Sequence, residues 1–214
     1  MTTVQMLEWF DILEDKSASV YFTEAEKLAF LNNACLEFVG QFLPEGEEGD
    51  NFEVDSNIEQ KIGTLIWESN PLTMSASGVI TRAALRTDIR TISGDATCEL
   101  FKIGAIEFKK SGRKIQCKVL RHNDKAAFEE NYFKRPSYTT PKHLHQNNNI
   151  QFRPVDTLAE VYITVIKTPK ILTSSAVDTD LPIDTHNEVV AIALEFAGYA
   201  SREEMLTQIV KSIK

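Results

Sequence analysis

The chain contains little cysteine: three residues among 214, widely separated in the sequence. It has no Cys-x-x-Cys pair and no cysteine–histidine spacing of a zinc site, which excludes the common structural zinc modules. Cys35 lies among apolar residues at helical spacing, and Cys117 alternates with apolar residues in a strand-like segment. We therefore predict that Cys35, Cys98 and Cys117 are reduced core residues.

Long hydrophobic runs are also missing. Apolar stretches such as Val189 to Leu194 are far shorter than the ~20 residues that a membrane-spanning helix needs. The N-terminal stretch MTTVQMLEWFDILED is acidic and amphipathic, without the basic start and small-residue cleavage site of a signal peptide. The sequence predicts a protein without a membrane partner that is cytosolic where it is made.

The motifs of the common enzyme classes do not occur. The sequence has no GxSxG, no HExxH, no P-loop and no GxGxxG. Carboxylates are crowded in EGEEGDNFEVD (45–55), but this polar stretch has no apolar surround to separate their pKa values, as acid–base catalysis requires. We predict a solvated acidic loop there, and a non-enzymatic protein without a cofactor.

Charge is distributed unevenly along the chain, although the net charge is only −8. Residues 1–70 carry 15 acidic and 3 basic residues, whereas residues 71–170 carry 9 acidic and 17 basic residues. Residues 171–214 are acidic again, with 7 acidic and 3 basic residues. This asymmetry favours faces that meet different partners or other copies of the chain. The alternative is that charge merely follows the exposed faces.

The two ends of the chain have the periodicity of helices. In residues 1–70, one apolar stripe precedes residue 14 and a second follows Thr23, which forms a capping box with Glu26. Ser56 opens another capping box and predicts a third helix over 57–68. In residues 171–214, Thr185 opens a helix that Gly198 is placed to end, and Ser201 opens the last one.

The middle of the chain, residues 71–170, has the period of strands. Ser111-Gly112 separates two alternating segments and predicts a hairpin. A short helix is expected over 124–130, and AEVYITVIK (159–167) is the clearest strand, apolar on both faces. We predict an α+β fold. N- and C-terminal helices form one bundle, and an antiparallel β layer, a hairpin plus further strands, is inserted between them in one structural unit.

The stretch NYFKRPSYTTPKHLHQNNNIQFRP, residues 131–154, is rich in proline, aromatic and basic residues. His143 and His145 would point the same way in an extended segment, and such a pair can bind a transition metal. No cysteine or carboxylate lies in the segment to complete the ligand set. We therefore predict exposed loop histidines, no metal, and an extended docking arm.

Nucleic-acid binding is the alternative function. The basic middle region interleaves Lys and Arg with Tyr132, Phe133, Tyr138 and Phe152, as a surface for single-stranded nucleic acid does. Acidic residues dilute this surface and the whole chain is acidic, which disfavours phosphate neutralisation. A soluble nucleic-acid-binding accessory protein therefore ranks below a protein-binding one.

Four segments, in order, carry a resemblance to a known family: YFKRPSYTTP, NNIQFRP, AEVYITVIKTPKIL and DLPIDTHNEVVAIALEFAG. They contain an Arg-Pro-Ser segment, a short strand ending in Pro, a strand closing in Lys-x-Pro, and a Leu-Pro-x-x-x-His start to a C-terminal helix. The chain thereby resembles head-to-tail connector (adaptor or neck ring) proteins of short-tailed double-stranded DNA phages. That group includes the tubular tail protein A type and ring proteins of crAss-like phages. The resemblance covers most of residues 20–214, but residues 44–100 match poorly.

The resemblance implies a non-enzymatic virion protein, assembled in the host cytoplasm, that forms a ring of usually twelve copies. The ring would bridge the portal protein to later neck or tail proteins and surround the DNA, which passes without sequence-specific binding. Acidic and basic regions of neighbouring copies would meet head to tail, a contact that closes into rings. The predicted subunit-docking residues are Lys134, Arg135, Pro136, Tyr138, Pro141 and Arg153.

Overall fold

The computed structural model describes residues 1–16, 22–43, 56–120, 135–146 and 148–212; the side chains of 15–16, 56–57 and 202–212 are not described. Helices and two sheets confirm the predicted α+β class. The chain divides into two compact units. We call the part built from 1–43, 56–65 and 169–214 the helical unit. The part that contains 66–168 is the β-rich unit.

The helical unit contains four α-helices among its described residues. They are α1 Thr3–Lys16, α2 Glu24–Gln41, α3 Ser56–Ile62 and α5 His186–Ser212, with short 3-10 turns at Gly63–Leu65 and Ile183–Thr185. Helix α2 packs against α5, and α1 packs against both. Leu31 and Phe38 of α2 and Val190 of α5 are at most 1% exposed, because apolar residues recur at helical spacing and form one buried face.

The α2 start has the predicted capping box. The Thr23 hydroxyl accepts a hydrogen bond from the Glu26 amide at 3.4 Å, and the Glu26 carboxylate accepts one from the Thr23 amide at 2.7 Å. The hydrogen bonds from Thr23 lower the pKa of Glu26. Two amide groups that the helix itself leaves unpaired are thereby satisfied.

Replacing Thr23 with alanine should lower the free energy of unfolding of the helical unit by about 1 kcal/mol, because the cap is lost. The unfolding curve can be followed by the fluorescence of Trp9 in a Trp67→Phe background, since Trp67 belongs to the β-rich unit. Asn33→Ala, an exposed change within the same helix, should not destabilise the unit. Equal effects of the two changes would contradict the cap.

Two predicted helix boundaries are wrong. The helix expected over 57–68 ends at Ile62, and Ile66–Glu68 instead forms a strand that pairs with Glu160–Lys167. The helix ends early because β-branched and aromatic residues such as Ile66 and Trp67 pair with a neighbouring strand instead. The helix expected to end at Gly198 continues to Ser212. An isolated glycine costs a helix only about 1 kcal/mol, and Gly198 has no left-handed backbone conformation to end it.

The β-rich unit contains nine strands and one helix among its described residues. These are β1 Ile66–Glu68, β2 Leu72–Thr73, β3 Val79–Thr81, α4 Arg82–Ser93, β4 Leu100–Lys110, β5 Arg113–Gln116, β6 Lys118–Val119, β7 Lys142–Gln146, β8 Asn149–Arg153 and β9 Glu160–Lys167. The sequence did not predict α4, which begins after Thr81, whose hydroxyl accepts from the Ala84 amide at 3.1 Å.

The strands form two sheets, not one layer. The first has the order β1-β9-β4-β5, with β2 also paired to β9, and the second has the order β3-β8-β7-β6. The β6–β7 pair is parallel, so the predicted all-antiparallel layer is wrong at this pair. A cluster that includes Ile106, Phe108, Ile150, Phe152 and Ile163 is buried in the unit. The β-rich unit therefore has a core of its own, which explains the division of the chain.

The predicted hairpin and strand are confirmed. Strands β4 and β5 pair across Ser111 and Gly112, which have φ values of 52° and 79°. Two central residues with positive φ match the right-handed twist of a hairpin. In β9, Val161, Ile163 and Val165 are fully buried. The helix expected over 124–130 and the acidic loop 45–55 lie outside the described residues. Within the described part of the chain, no helix combines the length and apolarity of a membrane span.

Candidate functional site

The predicted docking residues do not share one environment. Arg135 is exposed, Pro136 and Arg153 are half-buried, and Pro141 is buried. Tyr138 is 44% exposed, and Lys134 lies outside the described residues. Residues 142–146 and 149–153 are β7 and β8, the two central strands of the second sheet. The short strand expected to end at Pro154 is β8, whereas the preceding part of the expected extended arm contains a second strand, β7, with a turn before it. Docking by these residues stays a prediction.

That turn, residues 135–141, is held by hydrogen bonds of its own. The Thr140 amide donates to the Ser137 carbonyl at 3.1 Å, and the Ser137 hydroxyl lies 2.9 Å from the hydroxyls of Thr139 and Thr140. The Pro141 carbonyl accepts from the Lys118 amide at 3.0 Å, which ties the turn to β6. The short-range bonds fix the turn locally and hold Tyr138 at the surface.

Tyr138 lies between the core and solvent. Its ring centroid is 6.4 Å from that of Phe108, which is 1% exposed. The ammonium nitrogen of Lys110 lies 3.7 Å from the centroid of the Tyr138 ring. A cation over the face of an aromatic ring is attracted by its quadrupole. Tyr138 is thus supported on two sides while part of its ring stays exposed.

Lys110 also forms an ion pair with Asp156. The hydrogen bond from Lys110 lowers the pKa of Asp156, and the same bond raises the pKa of Lys110. The other carboxylate oxygen of Asp156 accepts from the Leu158 amide at 3.0 Å. Leu158 is 90% exposed, the most exposed large apolar side chain among the described residues. We call Lys110, Tyr138, Asp156 and Leu158 the Tyr138 patch.

Sequence reasoning found only one member of this patch. Lys110 and Asp156 are far apart in the sequence and meet because β4 pairs with β9, with Lys109 opposite Glu160. No local motif marks this pairing. An antiparallel pairing of the two longest predicted strands was the one signal that could have brought residue 110 near residue 159.

The two histidines are strand residues, not exposed loop residues. His143 is 2% exposed and His145 is half-buried, and their ring centroids are 5.3 Å apart. Both lie on one face of β7, as alternation requires, and this face meets Phe152, 6.4 Å from the His143 ring. Burial, with a contribution from His145, lowers the pKa of His143 to about 3. His143 is therefore a neutral core side chain at neutral pH.

The chemistry of the remaining metal and thiol candidates is limited. Among the described residues, no group of three His, Cys, Asp or Glu side chains is arranged to hold a metal ion. The three cysteines are free and buried, which confirms the prediction for them. Burial raises the pKa of Cys35 and of Cys117 to about 12. Both are thiols at neutral pH and lack the thiolate that nucleophilic chemistry requires.

A basic hollow lies in the β-rich unit, at the start of α4. It has a volume of ≈ 50 Å³. Its lining residues are Arg82, Arg86, Leu100, Phe101, Lys102, Ile103 and His145. The sequence did not predict it, although two arginines four residues apart after a capping threonine are a signal for cations on one helix face.

The comparison with protein-family models gave no match, and neither did the comparison with curated proteins. The proposals that follow therefore depend on the residues and their arrangement.

Proposed function

We propose that the protein is a non-enzymatic virion structural protein that forms a ring in a phage neck. The ring connects the portal protein to downstream neck or tail proteins and surrounds the DNA passage. The succession of four sequence segments, from YFKRPSYTTP to DLPIDTHNEVVAIALEFAG, supports this proposal, because it resembles the phage connector proteins. The Tyr138 patch is the observation that carries the proposal, because it offers an aromatic anchor on a fixed turn and an exposed aliphatic side chain, Leu158, just before β9.

The composition of the patch is typical of a protein interface. Tyrosine is enriched among the residues that contribute most to binding, and Tyr138 is already held in place by Lys110 and Phe108. Such support reduces the entropy lost when a neighbour docks. Leu158 adds apolar area at 90% exposure. The Lys110–Asp156 pair supplies charge beside both anchors.

The uneven charge along the chain favours a second copy as the neighbour. Residues 1–70 carry 15 acidic and 3 basic residues, net −12, and residues 71–170 carry 9 acidic and 17 basic residues, net +8. Opposite charges on different surfaces of one chain attract copies head to tail. A heterologous contact of this kind closes into a ring when the rotation between copies allows it.

Electron microscopy tests the proposal. Images of phage particles that contain this chain should reveal a ring of its copies on the portal axis, identified by an antibody or an affinity tag. Purified full-length chain mixed with the portal protein should bind it. The proposed function would be refuted if the chain were absent from the phage particles or lay away from the portal axis.

Tyr138→Ala should raise the protein concentration needed for ring assembly by about tenfold or more, the effect expected when an aromatic residue at the centre of an interface is lost. Sedimentation velocity and electron microscopy of full-length chain with the portal protein measure it. Phe101→Ala is the matched control, since Phe101 is an exposed aromatic of the same unit outside the patch. An equal effect of both changes would contradict a docking role for the patch.

The second candidate function is that of a soluble nucleic-acid-binding accessory protein. The basic hollow favours it, because three cations from two elements line one small cavity. The two functions differ in salt dependence. Nucleic-acid binding that depends on phosphate contacts weakens steeply with added salt, whereas a ring protein needs no measurable DNA affinity.

A further inference from the structure

We propose that helix α1 of one copy docks on the Tyr138 patch of the next copy in the ring, where its Glu8 pairs with Arg113. This inference rests on the proposed function and names the two surfaces of the chain that meet. The first surface is the exposed side of α1. We call it the α1 face, and its members are Val4, Glu8, Trp9 and Ile12.

The α1 face is rich in large apolar side chains. Val4, Trp9 and Ile12 are 46%, 38% and 48% exposed, whereas Met6 and Phe10 on the other side of the helix are fully buried. At ~3.6 residues per turn, the four members of the face lie within about 140° of the helix circumference. The buried side already packs α1 against α2 and α5. Single exposed apolar residues are ordinary, but three on one helix face indicate a surface that another molecule covers.

The other helices of the helical unit expose less apolar surface. Among their described side chains, α2 exposes one large apolar residue, Leu36, and α5 exposes one, Tyr199. Glu8 lies between Val4 and Ile12, one helical turn from each. Its carboxylate is exposed and has no ion pair within the part of the chain that the structure describes. The α1 face therefore combines three apolar side chains with one carboxylate that a partner can use.

The hairpin of β4 and β5 has the matching feature, a cation without a counter-charge. Two pairs of cations lie directly opposite each other across the hairpin, Lys109 with Lys114 and Lys110 with Arg113. Like charges in such positions destabilise a strand pair. The three lysines each pair with a carboxylate of the chain. Arg113 is exposed and, among the described residues, has no carboxylate partner.

Arg113 lies beside the Tyr138 patch. Residues directly opposite in an antiparallel pair have their side chains on the same face, with Cβ atoms about 5 Å apart. The residue opposite Arg113 is Lys110, whose ammonium group lies over the Tyr138 ring and pairs with Asp156. A carboxylate that binds Arg113 therefore arrives next to the aromatic anchor of the patch.

The α1 face and the Tyr138 patch complement each other in chemistry. The α1 face has apolar side chains around one carboxylate, and the patch has Tyr138 and Leu158 near one available arginine. Arginine presents parallel N–H donors that match the two oxygens of a carboxylate, and the surrounding apolar side chains exclude water from the pair. Because the face and the patch are different surfaces of one chain, their contact is heterologous and repeats from copy to copy, as a ring requires.

A charge swap tests this pairing. Glu8→Arg and Arg113→Glu should each raise the protein concentration needed for ring assembly by about tenfold or more, because like charges then meet at every contact. An equimolar mixture of the two variants should assemble as the native chain does. The arginine at position 8 of one variant then meets the glutamate at position 113 of the other, and the native pair forms at the next contact. Such alternation closes any ring with an even number of copies.

Sedimentation velocity and electron microscopy of the full-length chains with the portal protein measure assembly. A chain that carries both Glu8→Arg and Arg113→Glu should also assemble as the native chain does, since the pair is restored with its charges exchanged. Glu195→Arg is the matched control. It makes the same change of charge at an exposed position of α5, and it should change the required concentration by less than about twofold. Circular dichroism verifies that each variant is folded.

The outcomes separate this inference from the function on which it rests. If the native chain forms no ring with the portal protein, the proposed function fails, and the docking of α1 fails with it. The inference alone is overturned if the native chain forms a ring and the mixture of Glu8→Arg and Arg113→Glu assembles no better than either variant. In that case α1 contacts another protein, such as the portal protein itself. Equal weakening by Glu195→Arg and Glu8→Arg would also overturn it, because the effect would then follow net charge.

Discussion

Replacing Phe152 with alanine is expected to lower the free energy of unfolding of the β-rich unit by about 3–5 kcal/mol. Phe152 is fully buried in β8, a central strand of the second sheet. It belongs to the buried cluster that contains Phe108 and Ile163. Truncation removes the transfer free energy of the ring and leaves a cavity, because the flanking strands cannot collapse to fill it.

The backbone around Phe152 restricts that collapse. Its amide donates to the Gly78 carbonyl at 2.7 Å, and Gly78 has a φ of +74°. A Cβ atom at Gly78 would lie 2.6 Å from a methyl carbon of Val155 and 3.0 Å from the Phe152 carbonyl oxygen. The chain passes Gly78 too closely for any larger residue, so β8 has little freedom to shift into the cavity.

Urea denaturation of a Trp9→Phe protein measures the effect, because Trp67 is then the one tryptophan left and it packs against the β-rich core. Leu158→Ala is the control: it removes an apolar side chain that is 90% exposed, and it should change stability by less than about 0.5 kcal/mol. A loss below about 1 kcal/mol for Phe152→Ala would contradict the central position assigned to this side chain.

The loss of Phe152 also has a functional consequence. Strand β8 pairs with β7, with Phe152 opposite His143. Strand β7 follows directly after the turn that presents Tyr138, and it carries His145 of the basic hollow. The Tyr138 patch and the basic hollow therefore both depend on this hairpin. Phe152→Ala should weaken ring assembly in addition to lowering stability.

Local patterns were enough to predict much of the fold. The capping box at Thr23, the hairpin at Ser111-Gly112 and the strand at 160–167 depend on residues close in sequence, and the structure confirms each. The boundaries of the helices and strands depended instead on which other strands they pair with. Ile66–Glu68 is a strand because β9 offers an edge to pair with, and no periodicity within residues 57–68 reveals that edge.

The candidate sites were less predictable for the same physical reason. Tyr138 was found because an aromatic residue between prolines is conspicuous in a sequence. Its partners Lys110 and Asp156 come from a strand end and a loop that only tertiary pairing brings together. The hollow joins α4, β4 and β7, and the register of β4 against β9 shifts between Leu100 and Lys102. Sequence spacing does not reveal that shift.

Acid should destabilise the β-rich unit well before its carboxylates titrate, because of His143. Burial lowers the pKa of this side chain from 6.5 to about 3 in the folded protein. Above pH 6.5 the side chain is neutral in both states and contributes no pH dependence. As the pH falls from 6.5 toward 3, the unfolded chain binds a proton that the folded chain excludes, so stability falls by about 1.36 kcal/mol per pH unit.

Between pH 7.5 and pH 5.0, the native protein should lose about 2 kcal/mol of stability through this one group. His143→Phe removes the titrating group while keeping an aromatic ring beside Phe152, so its stability should be nearly constant over this range. His145→Gln should diminish the pH dependence without abolishing it, because burial, not the neighbouring histidine, is the larger cause of the lowered pKa. Urea denaturation at each pH, followed by Trp67 fluorescence in the Trp9→Phe background, makes the comparison. If the native protein and His143→Phe lost stability in parallel, His143 would have to be solvated or paired in the folded state, and the buried position of β7 would be refuted.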